Sequence, residues 1–84
     1  MTELRWESRG MRDYCLDATG RVVGHTFYLF SKGCYDAEVL APQGGEVRAG
    51  TYVSLEDARR AVERAVAQVE AAAQQTKEST HEQS

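Results

Sequence analysis

Apolar and polar positions alternate in short runs over residues 1–53, after which the period changes. The alternation is cleanest from Cys34 to Ala41, where Tyr35, Ala37, Val39 and Ala41 share one side and Cys34, Asp36, Glu38 and Leu40 the other. A two-residue period of this kind predicts a strand. Arg21 to Phe30 is the longest strand candidate, since Val22, Val23, Thr26, Phe27, Tyr28 and Phe30 all fit a pleated surface. Leu4 to Glu7 forms a short first candidate anchored by Trp6, Tyr14-Cys15-Leu16 a second, and Val47 to Val53 closes the series. The separating segments carry turn chemistry. Asp17 can bond the backbone that follows it, Gly20 supplies positive φ, Ser31-Lys32-Gly33 turns the chain, and Pro42-Gln43-Gly44-Gly45 turns it again. Connections this short predict antiparallel neighbours.

Beyond Gly50 there is no glycine, and beyond Pro42 no proline. Leu55, Ala58, Val62, Ala65, Val66 and Val69 recur at steps of three and four, one apolar stripe on a helix. Ser54 is a good N-cap, and Glu56 and Asp57 place negative charge in the first turn, where the helix dipole favours it. Arg59, Arg60, Glu63, Arg64 and Glu70 fall outside the stripe. Because the stripe is made of small residues, the bulk of the core has to come from the sheet, with Phe27, Leu29, Tyr35 and Val39 as natural suppliers. The expectation is an α+β fold: a three- or four-stranded antiparallel β-meander with one C-terminal α-helix packed on one face. Residues 1–75 form the sheet-plus-helix domain. Residues 76–84 hold no apolar side chain and are expected to form a disordered polar tail.

Length and charge narrow the functional classes. An 84-residue chain supports one thin core. A net charge of -3 gives no basic footprint for a nucleic-acid module. The longest apolar run, Phe27 to Phe30, is far short of the ~20 residues that cross a bilayer, and the first residues lack the apolar core of a signal peptide. A cytoplasmic location is therefore expected, with no membrane partner.

The chemistry-bearing side chains fall into several sets. Cys15, His25, Cys34 and Asp36 are all legitimate zinc ligands, yet the two cysteines are nineteen positions apart, unlike the close pairs of structural sites. The spacing predicts free thiols, a surface histidine, and neither metal nor cofactor. A Cys–His nucleophile pair lacks an orienting third group, so no catalytic residue is assigned. Asp36 and Glu38 share a strand face, which alternation places in solvent. Tyr28, Phe30, Tyr35 and Tyr52, with Arg21, Lys32 and Arg48, could form a stacking platform for single strands. In the sheet half, however, Arg5, Arg9, Arg12, Arg21, Lys32 and Arg48 are offset by Glu3, Glu7, Asp13, Asp17, Asp36, Glu38 and Glu46.

The segments Tyr14-Cys15-Leu16-Asp17-Ala18-Thr19-Gly20-Arg21-Val22-Val23-Gly24, Tyr35-Asp36-Ala37 and Thr51 to Glu63 resemble small meander-plus-helix proteins encoded by phages and prophages. The Ser54-Leu55-Glu56-Asp57-Ala58 helix start also resembles that of HicB-type antitoxins, without their Pro/Gly-rich lead-in. The phage resemblance implies an accessory protein that acts by binding a host factor, and it carries no catalytic residue across. The expected function is thus a non-enzymatic protein-binding module that inhibits or modulates a host protein. Single-stranded nucleic-acid binding on the open sheet face is the alternative. The long strand carries apolar groups on both faces, and Val22, Tyr28, Phe30 and Tyr35 are the expected interaction surface. A homodimer with Tyr28 or Phe30 at its contact is the simplest way to bury them.

Overall fold

A computed structural model describes residues 3–41 and 44–83. Five strands, β1 (Arg5–Arg9), β2 (Arg12–Leu16), β3 (Val22–Leu29), β4 (Cys34–Leu40) and β5 (Glu46–Tyr52), precede one helix, α1 (Leu55–Gln83). The strands lie side by side in chain order, and each pairs antiparallel with the next. The α+β meander with a C-terminal helix is as the sequence predicts; the strand count is five rather than three or four. The extra strand comes from a tight first hairpin. Arg9 pairs with Arg12 across a two-residue connection, Gly10-Met11, and Gly10 sits at φ 63°, a backbone conformation that costs a residue without Cβ little. Charged residues fill β1 and its burial is slight, so its hydrophobic pattern is faint.

The turns follow the sequence chemistry. The Asp17 carboxylate accepts from the Thr19 amide at 2.9 Å, the Thr19 hydroxyl at 2.6 Å and the Arg21 amide at 3.1 Å. The Thr19 hydroxyl does most to hold the Asp17 pKa below its ordinary value, with both amides adding to the effect. Pro42 and Gln43, half of the expected fourth turn, lie outside the described residues, but the amides of Ala41 and Gly44 close that connection onto the Gly45 and Ala41 carbonyls. At the helix start the Ser54 hydroxyl accepts from the Asp57 amide at 3.0 Å, the bond expected of an N-cap. The side chains of residues 73–84, and with them the expected polar tail at 76–84, lie outside the described residues.

The helix lies on one face of the sheet. Ala58, Val62 and Val66 pack on Cys15, Ala37 and Val39, with Trp6, Val23, Tyr35 and Tyr52 closing the margins. Burying a valine such as Val62 completely contributes ~1.5–3 kcal/mol. The small-residue stripe brings the helix close. A Cβ built on Gly24 would stand 2.6 Å from Val62 Cγ1 and 3.0 Å from the Glu38 carbonyl oxygen, so this position is glycine because the helix occupies the space. Two expected contributors to the core are elsewhere. Phe27 pairs with Asp36 and Leu29 with Cys34, on the sheet face away from the helix, while Tyr35 and Val39 do support the helix.

Polar contacts fasten the first hairpin to the helix. The Trp6 indole donates to Glu63 at 2.8 Å, and the Arg59 guanidinium lies 5.2 Å from the Trp6 ring centre. Arg59 also reaches Asp13 at 3.1 Å, and the Ser8 hydroxyl donates to the same carboxylate. Arg59 and Glu63 stand outside the apolar stripe and nevertheless hold the sheet.

Candidate functional site

Two surfaces stand out, one at an end of the sheet and one on its uncovered face. At the end where β3 turns into β4, Tyr28 packs on Tyr35 with ring centres 5.0 Å apart, and Phe30 stands edge-on to Tyr28 at 5.0 Å. Such pairs contribute ~0.5–1.5 kcal/mol beyond simple burial, yet Phe30 remains 72% exposed. Strand register brings further apolar groups to the same end. Arg12 pairs with Phe27, which sets Met11 beside this rim, and Tyr35 pairs with Tyr52, which sets Val53 there. Four large hydrophobic side chains among the described residues are exposed, and Met11, Phe30 and Val53 are three of them. At ~4.8 Å between neighbouring strands, they span a rim about 15 Å across.

Of the residues expected to form an interaction surface, Tyr28, Phe30 and Tyr35 come together here. Val22 does not. It begins β3, about 20 Å away along the strand, and lines a cleft of about 220 Å³ with Val23, Val39, Leu40, Val66 and Val69. Pattern alone does not single out Met11, a lone apolar residue in a turn, or Val53, the last residue of the Val47–Val53 strand candidate. Their signal was position alone, beside Gly10 and before the Ser54 cap.

The uncovered face carries a cluster of ionisable side chains. His25 pairs with Glu38 across β3 and β4, and its Nε2 lies 3.5 Å from the Glu38 carboxylate and 3.9 Å from that of Glu46 on β5. One ligand atom from each of the three residues falls within 4.8 Å of the others. His25 is buried, not a surface histidine: Phe27 stacks on one side of it at 5.7 Å and Tyr14 tilts against it at 6.2 Å. Its Nδ1 has no hydrogen-bond partner among the described residues. Desolvation, followed by the neighbouring Glu46 carboxylate, raises the Glu38 pKa above the usual carboxylate range.

Beside this cluster Arg48 donates to Asp36 at 3.1 Å, and the Thr51 hydroxyl donates to the same carboxylate. Asp36 is buried rather than solvated; alternation assigned its face correctly but not its depth. Arg9 lies over Tyr14 and Arg12 over Phe27, each guanidinium about 5.5 Å from the ring centre.

The cysteines are separate from both surfaces' polar groups. Cys15 lies in the core under the helix, where desolvation above all, with Glu63 and Asp17 nearby, pushes its thiol up to about 11. Cys34 is paired with Leu29 on the opposite face, and both thiols are free, as expected. Cys15, His25, Cys34 and Asp36 thus do not converge. No helix among the described residues is long and apolar enough to cross a membrane. Comparison with protein-family models, curated proteins and solved structures finds no match to this chain.

Proposed function

We propose that this chain is a non-enzymatic, cytoplasmic protein-binding module that docks through the Met11–Phe30–Val53 rim. The observation that carries the reading is Phe30, a large ring 72% exposed and edge-on to Tyr28. Exposed apolar groups gathered on one rim are what a partner with an apolar pocket would bury, and aromatic anchors commonly dominate such contacts. The resemblance to phage accessory proteins points to a bacterial host protein as that partner. A second copy of the chain is the rival occupant.

Affinity capture from bacterial lysate, run side by side with wild-type, Phe30→Ser and Val47→Ser baits, tests this. Val47 is also exposed but lies at the opposite end of the sheet. A stoichiometric protein lost with Phe30→Ser and kept with Val47→Ser supports the rim. The same protein captured equally by all three baits overturns it.

Single-strand binding ranks second. The Arg9–Tyr14 and Arg12–Phe27 pairs favour it, since arginine and aromatic rings together can hold bases and phosphates. Glu7, Asp36, Glu38 and Glu46 on the same face repel a phosphate backbone. Micromolar or tighter oligonucleotide binding at physiological salt would reverse this ranking.

A further inference from the structure

We propose that His25, Glu38 and Glu46 form a binding site for a divalent transition-metal ion of the zinc class on the sheet face away from the helix. Tetrahedral zinc with bonds of ~2.0–2.1 Å places its ligand atoms about 3.3 Å apart. His25 Nε2 and the Glu38 carboxylate are already 3.5 Å apart, and Glu46 lies 3.9 Å from the same nitrogen. The three ligand atoms lie within 4.8 Å of one another, and the Glu46 side chain, 51% exposed, has the freedom to close the remaining gap.

The histidine adds a nitrogen ligand to the two acids: its side chain is nine-tenths buried, and its Nε2 lies between the two carboxylates at 3.5 and 3.9 Å, distances longer than a good hydrogen bond. Phe27 and Tyr14 fix the ring plane, and three consecutive strands fix the spacing. Neutral imidazole with two carboxylates balances one divalent charge and removes the repulsion between Glu38 and Glu46.

Nitrogen in the set favours zinc, cobalt or nickel over magnesium and calcium, which prefer oxygen ligands and higher coordination numbers. Ligating histidines usually donate their other N–H to a partner, and loss of such a partner costs about 10–100-fold in affinity. Without one on Nδ1, binding is expected in the micromolar rather than the nanomolar range. The site lies on the sheet face, apart from the proposed docking rim, and does not rest on that reading.

Calorimetric titration of the purified chain with zinc chloride, in excess magnesium, provides the test. Wild type is expected to bind one equivalent. Glu46→Gln should weaken binding at least tenfold and His25→Gln should abolish it, while Cys34→Ser leaves it unchanged. Glu46 is half exposed, so its variant remains informative if His25→Gln fails to fold. No zinc binding by wild type, or binding that survives Glu46→Gln and disappears with Cys34→Ser, would overturn the proposal.

Discussion

Replacing Gly24 by alanine places one methyl group where the helix meets the sheet. The new Cβ would stand 2.6 Å from Val62 Cγ1, against the 3.4–4 Å of ordinary contact, and 3.0 Å from the Glu38 carbonyl, which the β3–β4 ladder holds in place. Overpacking of this kind costs ~1–3 kcal/mol. Alanine also restricts the unfolded chain, offsetting ~0.4–1 kcal/mol. The net loss for Gly24→Ala is therefore about 1–2 kcal/mol, a fall in Tm of roughly 5–15 °C for a domain of this size. Val62→Ala alone removes two buried methyl groups and costs ~1.5–3 kcal/mol. Combined with it, Gly24→Ala has room on the helix side and should cost about 1 kcal/mol less than in the wild-type background. Urea denaturation of the four proteins measures the cycle. A neutral Gly24→Ala, or an equal cost in both backgrounds, would show that the helix is not seated over Gly24.

Other perturbations separate the polar groups that hold the fold from those that do not. Arg59→Ala strands the nearly buried Asp13 carboxylate and should cost ~1–3 kcal/mol, whereas Arg60→Ala, which loses only an exposed pair with Glu56, should cost ~0.5 kcal/mol or less in the same denaturation assay. Because the folded-state pKa of Glu38 is raised, the folded protein holds that proton more tightly than the unfolded chain. Its stabilising effect is full below the unfolded pKa of ~4.3 and is lost as pH rises through the higher folded value. Glu38→Gln should flatten that part of the stability–pH profile and raise Tm of the metal-free protein at neutral pH; an unchanged profile would refute the assignment. Removing residues 76–84 should leave Tm almost unchanged, and a large drop would mean that this segment docks.

The overall architecture was legible in the sequence because its strongest signals are local. The Cys34–Ala41 alternation, the Asp17 turn and the Ser54-capped stripe each depend on neighbours a few residues away, and each has its counterpart in the structure. Hairpin β1–β2 was harder to read, since a charged edge strand has little apolar pattern and its turn rests on one glycine. Register was the other missing quantity. Phe27 and Leu29 could have faced either way, and only their pairing with Asp36 and Cys34 sends them away from the helix. The His25–Glu38–Glu46 group depends on two registers at once and on a shift between Ala37 and Glu38 that no alternation pattern reveals. Counting back from a three-residue Ser31-Lys32-Gly33 turn sets His25 opposite Val39; the connection in fact takes in Phe30 as well, which brings His25 opposite Glu38, and nothing comparable marks Glu46.

The docking rim can be tested most directly inside bacterial cells, with a photoreactive benzophenone amino acid in place of Phe30 and, as control, in place of the exposed Ala67 on the outer helix face. Illumination should yield one discrete adduct from position 30, with the mass of this chain plus one host protein, and none from position 67. An adduct of twice the chain mass would assign the rim to a second copy instead. No adduct at position 30, or the same pattern from both positions, would contradict the claim that Phe30 is held out to meet a protein.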